Sequence, residues 1–136
     1  MFEMCFASTE TLLSSLLSTC EATAAIAARL APRARQEFLR SHLQDRTLNY
    51  RRAAKEIRRL GGMLGIEEDA DAPALVGHDE QLAGVDSVWE AVECSALISF
   101  RDALDAELPS EVHAAVRRWI EDGVSALERL RTHRAA

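Results

Sequence analysis

Leu12, Leu13, Leu16, Leu17, Cys20, Ile26, Ala27 and Leu30, with Thr23 between, form one stripe at i, i+3, i+4 spacing. That spacing lines them along one side of an α-helix and along no face of a strand. The pattern recurs three times: in Leu39, Leu43, Tyr50, Ala53, Ala54 and Ile57, in Trp89, Val92, Ala96 and Phe100, and in Val112, Val116, Ile120, Val124, Leu127 and Leu130. Four such stripes predict an all-α chain of four long amphipathic helices, over about residues 8–30, 33–60, 87–107 and 109–132. Thr23 is the one polar member of the first stripe, and its hydroxyl can bond back to a carbonyl one turn earlier. With only 6 Gly and 3 Pro in 136 residues, the chain has few places to turn. A single domain with its own core is expected at this length.

The punctuation fits that reading. Pro32 in "LAPRA" suits the first residue of a second helix. Gly61 in "LGG" suits a left-handed cap at its end. "SVWE" from Ser87 reads as a capping box opening the third helix, and "LPSE" separates it from a fourth beginning near Pro109. Two joints are short and make antiparallel neighbours. The third joint, residues 61–86, is long and carries seven acids with no Lys or Arg. Leu75 and Val76, or Leu82, can supply a short turn that docks on the bundle. A helix of about 25 residues is roughly 37 Å long, and a connection of similar residue count can span it. Two topologies satisfy the pattern: a ferritin-like bundle whose connection crosses to set helix three parallel to helix two, or a plain up-down-up-down bundle with an acidic loop.

Charge narrows the function. The net charge of −6 argues against a molecule built as a whole for nucleic acid or anionic membrane. Residues 32–60 carry +6 and residues 61–86 carry −7, so the exposed Arg51, Arg52, Arg58 and Arg59 are expected to meet acids of the same chain or water. The basic end of that helix offers only Tyr50 as a stacking ring, so no nucleic-acid partner is expected. No unbroken apolar run reaches 18 residues, so no membrane span is expected. "MFEMCFASTE" has acid where a signal peptide needs base, which points to a cytoplasmic chain. Cys5, Cys20 and Cys94 lack metal or disulfide spacing and read as packed free thiols.

The chemistry must then come from polar groups on inward faces. Advancing about 100° per residue places Glu93 about 40° from the centre of its apolar face, with Glu90 one turn earlier. Arg46 falls between Leu43 and Tyr50 near the centre of its stripe. His113 falls between core positions, while Glu21 and Asp122 sit on flanks. A di-iron or di-manganese bundle takes a Glu from each of two helices and a Glu-x-x-His from each of the other two. None of His42, His78, His113 and His133 has a Glu three residues before it. Glu21, Glu90, Glu93 and Asp122 are thus a degenerate candidate set for iron or manganese. The alternatives for Glu93 are an ion pair with Arg46 between facing helices, or a path to solvent at the helix boundary. No catalytic residues are expected: there is no GxSxG, no phosphate loop and no Cys beside a suitable His.

"RTLNYRRAAKEIRRLGG" and, after the acidic stretch, "ECSALISFRDALDAELPSEVHAAVRRWIEDGVSALERLRTHR" resemble the DUF2383 group, ferritin-like four-helix-bundle bacterial proteins. The likeness is best over residues 36–62 and 90–134, with "RRLGG" and "FRDALDAELPSEV" the most specific pieces. It implies the ferritin-like fold more than any activity. Family members often carry a histidine in the last helix where this chain has Leu127, and their glutamate-rich stretch in helix three is reduced here to Glu90 and Glu93. The resemblance therefore implies loss of part of any metal site. The expectation is a non-enzymatic module that forms a homodimer or docks a protein partner, with Met4, Phe6, Leu97 and Ile98 as candidates for the interface or for packing under the acidic loop. The alternative is a metal-binding or redox ferritin-like protein with the degenerate carboxylate site.

Overall fold

The computed structural model describes residues 3–63 and 84–135, with side chains over 9–62 and 84–134. Those residues form four α-helices, α1 (Glu3–Leu30), α2 (Glu37–Met63), α3 (Val85–Leu104) and α4 (Ser110–Ala135), with one 3-10 turn at Ala31–Arg33 and no strand among them. The predicted stripes are the core. Leu13, Leu16, Leu17, Cys20, Ile26, Ala27 and Leu30 of α1 are buried together with Leu39, Leu43, Tyr50, Ala53, Ala54 and Ile57 of α2. Thr23 stays in the stripe by donating to the Thr19 carbonyl at 2.6 Å. By length and composition, residues 9–33 are apolar enough to cross a membrane, which a search for unbroken apolar runs overlooks; here the apolar side of that segment is core face.

Four local expectations are corrected. Pro32 does not open α2: it lies in the 3-10 turn, Ala34 is extended, and the helix begins at Glu37. Gly61 is no cap, because α2 runs through Gly61 and Gly62 to Met63. Ser87 does not cap α3: the helix starts two residues earlier, after an extended Gly84 with no side-chain cap. A strong apolar stripe carries helical winding past weak local stop signals. Val124, assigned to the core stripe of α4, is 43% exposed. Gly123 takes the inward position, where an added Cβ would lie 2.5 Å from Leu97 Cδ2. That places α3 and α4 close together and turns Leu97 inward rather than toward a surface interface. Most of the acidic stretch (64–83), and the side chains of Met4, Cys5 and Phe6, lie outside the described residues.

Side-chain pairings set the helix directions. Along α2 and α4, Phe38 stacks on His133, Arg46 meets Asp122, and Arg118 and Trp119 meet Glu56, so numbers rise on one helix as they fall on the other. Along α3 and α4, Asp86 meets Arg134, Glu90 meets Arg131, and Phe100 meets Trp119. Helix α4 is therefore antiparallel to both α2 and α3, and those two run parallel to each other. The end of α2 and the start of α3 stand at opposite ends of the bundle. Helix α1 packs beside α2 and α3, as α4 does, leaving α2 and α3 across a diagonal.

Candidate functional site

The two groups that the stripes turned inward on α2 and α3 meet across that diagonal. Arg46 donates from Nε to both Glu93 oxygens, at 3.1 and 3.2 Å, and from Nη2 to Oε2 at 2.9 Å. Its remaining fork, Nη1, donates to Asp122 Oδ2 of α4 at 2.8 Å. Tyr50, one turn after Arg46, donates its hydroxyl to Glu93 Oε2 at 2.5 Å, and its ring lies 5.0 Å from the guanidinium carbon. The planar guanidinium suits this task, since two edges of one fork can serve two carboxylates on different helices. Around the cluster stand Trp89, edge-on to Tyr50, and Phe100.

Burial dominates the electrostatics. Glu93 is fully buried and Arg46 is 2% exposed, while Asp122 is 49% exposed and carries the cluster out to solvent. Burial pushes the Glu93 carboxyl above its ordinary range, and Arg46 and Tyr50 pull against that rise. Burial works to lower the Arg46 pKa, but the Glu93 carboxylate and the hydrogen bond to Asp122 together outweigh it and hold the guanidinium above its usual value. The Tyr50 hydroxyl is pushed well up by burial and by the neighbouring carboxylate, so it remains a donor. The three-bond fork on Glu93 is the geometry of an ionised pair.

The candidate metal set is not brought together. Glu21 of α1 pairs with Arg58 of α2, and Glu90 takes Arg131 at 2.7 Å and Arg134 at 2.6 Å on the α3–α4 edge. Glu93 and Asp122 share only Arg46. Among the described residues, no three His, Cys, Asp or Glu side chains are gathered as a metal ion needs. His113 is half-buried beside a surface groove with Arg117 and Glu121. Cys20 is a buried free thiol whose pKa burial pushes up, and Cys94 is half-buried and free.

Sequence reasoning missed two members of the cluster. Its place on an apolar stripe marks Tyr50 as plain core, although a tyrosine there needs a partner for its hydroxyl, and Arg46 stands one turn away. Asp122 was read as a flank acid and possible ligand; the pairing of α2 with α4 brings it to Arg46. His42, one turn before Arg46, is also buried, and among the described residues neither its Nε2 nor Trp89 Nε1 has a hydrogen-bond partner. Burial, then the nearby Arg46 and Arg129, lower the His42 pKa to about 4.

These features define an all-α four-helix bundle closed at its centre by a buried ion network. No protein-family model matches the chain, and no curated protein matches it either.

Proposed function

We propose that the chain is a ferritin-like bundle of the DUF2383 kind that serves in the cytoplasm as a non-enzymatic module, associating with itself or docking a partner protein. The observation that carries this reading is the mutual engagement of Arg46, Glu93, Tyr50 and Asp122 at the bundle centre. Bundles that hold metals build the site from unspent carboxylates and imidazoles on facing helices. Here both Glu93 oxygens are taken by neighbours. The parallel run of α2 and α3 supports the ferritin-like arrangement, in which one connection crosses the bundle.

The surface supports the docking half. Leu48, Ile98 and Val124 are the large apolar side chains left exposed among the described residues. Leu97 and Gly123 face each other, and the next residue on each of two antiparallel helices rotates to the same side. Ile98 and Val124 therefore share one outer face of the α3–α4 pair. Light scattering over a concentration series tests self-association: a dimer that Ile98→Lys with Val124→Lys dissociates is expected, and a strict monomer at every concentration removes that half of the reading. Metal analysis of protein purified without chelator, followed by iron titration, tests the rest. Stoichiometric iron or manganese would overturn the non-enzymatic assignment.

A further inference from the structure

The α1–α2 side of the bundle carries a groove that the central network does not use. Its floor is small and apolar: Ala24, Ala25, Ala28 and Ala31 of the first helix and the turn after it, with Ala54 and the half-exposed Leu48 of α2. Its α2 wall is cationic, with Arg40, Arg51, Arg52, Lys55 and Arg58. Two stretches share Leu48 and Arg51 and so form one trough. From Arg40 to Arg58 it follows α2 for 18 residues, roughly 27 Å. Among the described residues Glu21 is the one acid lining it, and Glu21 is engaged by Arg58. Arg51, Arg52 and Lys55 are exposed and make no ion pair with the described residues.

We propose that this trough docks an acidic amphipathic helix of a partner protein, one whose small apolar stripe lies on the alanines while acids along one flank meet the α2 wall. The inference rests on the docking-module reading and adds its surface and partner chemistry. Alanines at the floor let a second helix axis approach closely, as small contact residues do at helix crossings. A straight trough of about five helical turns suits a rod of about 18 residues. Cations along one wall, opposite an α1 wall whose described charge, Glu21, is already engaged by Arg58, select a partner charged on one flank. A single-stranded nucleic acid is disfavoured, because such binding uses rings on which bases stack. The floor has no ring, and Tyr50, the aromatic of this part of α2, is buried on Glu93.

The test is selection from a displayed library of 18-residue helices on the full chain, with Arg51→Glu/Arg52→Glu as counter-target after its helix content and melting curve are matched to the parent. Expected are enriched peptides with an Ala or Leu stripe and glutamates at i, i+4 on one flank. Their affinity should fall about tenfold or more in the double variant and fall further with added salt. Two arms address other occupants. A 20-nucleotide single strand that binds more tightly than the selected peptides overturns the protein-helix assignment. Peptide binding that appears only after Glu67, Glu68, Asp69 and Asp71 are changed to Gln or Asn overturns it in favour of the chain's own acids. Enriched peptides indifferent to the double variant sink the trough but leave the docking reading standing. No enrichment on any face sinks both.

Discussion

Glu90 and Glu93 stand one turn apart on α3, and both are gripped by arginine at nearly the same distance. Arg46 reaches Glu93 at 2.9 Å, while Arg131 and Arg134 reach Glu90 at 2.7 and 2.6 Å. Distance alone would rank the outer cluster as the stronger. Burial reverses the order. Arg46 and Glu93 are 2% and 0% exposed, whereas Arg131 is 55% exposed. At the edge, water replaces either partner if it is lost. At the centre nothing does, so each group is tolerated only because the others are there. The central cluster also joins three helices, and the outer one joins two.

The largest effect should follow from breaking the centre at one point. Glu93→Gln keeps the shape but removes the buried charge that balances Arg46, leaving Asp122 as its carboxylate, and should destabilise the fold by about 3–5 kcal/mol in urea unfolding at pH 7. Replacing both partners by apolar groups, Arg46→Met with Glu93→Leu, should recover most of that loss. A single variant as stable as the parent would show that the central pair carries no more weight than the edge.

The comparison also shows what could be read from the residues alone. The four stripes were legible because helical spacing constrains many positions at once, and the same spacing turned Arg46 and Glu93 inward. The helix ends were not: Gly61 and Ser87 are weak local signals against cooperative winding, and Pro32 sits in a 3-10 turn that leads to an extended Ala34 before α2 begins. Asp122 was misread because its role depends on which helices are neighbours, and periodicity within one helix says nothing about that. Gly123 and Val124 exchanged places for a related reason: a residue with no side chain leaves no mark on an apolar stripe, yet it sets how close α3 comes.

His42 extends the comparison from the charged centre to a buried neutral group beside it. Its folded pKa of about 4 lies below the ordinary histidine value, so the unfolded chain takes up the proton first. Its contribution is fully present above about pH 6.5 and is lost as pH falls toward 4. The full swing is up to about 3 kcal/mol. His42→Leu should flatten the stability profile across that window, measured as urea midpoints at half-unit intervals. Arg46 and Arg129 lower the His42 pKa and Asp45 raises it. Asp45→Asn should therefore steepen the loss slightly. A profile identical in parent and His42→Leu would mean that the ring titrates as it does in water.

Tyr50→Phe removes one donor from Glu93 while leaving the Arg46 fork in place. About 1.5–3 kcal/mol should be lost, the range for a hydrogen bond to a charged group. The loss should shrink in the Glu93→Leu background, where the hydroxyl has no carboxylate to serve, and that coupling separates the hydrogen bond from packing against Trp89 and Phe100.

Glu90→Gln should have the smallest effect. Its carboxyl is held below the usual range by hydrogen bonds from Arg131 and Arg134, so whatever it adds is present at neutral pH and lost on acidification through that lowered value. Solvent reaches all three groups, and exposed pairs of this kind often contribute nothing measurable. The urea midpoint at pH 7 should stay within experimental scatter of the parent, and any residual difference should vanish in 1 M salt, where screening acts over about 3 Å. A loss that survives high salt and matches Glu93→Gln would mean that position on α3, rather than burial, decides what an arginine–carboxylate pair is worth in this bundle.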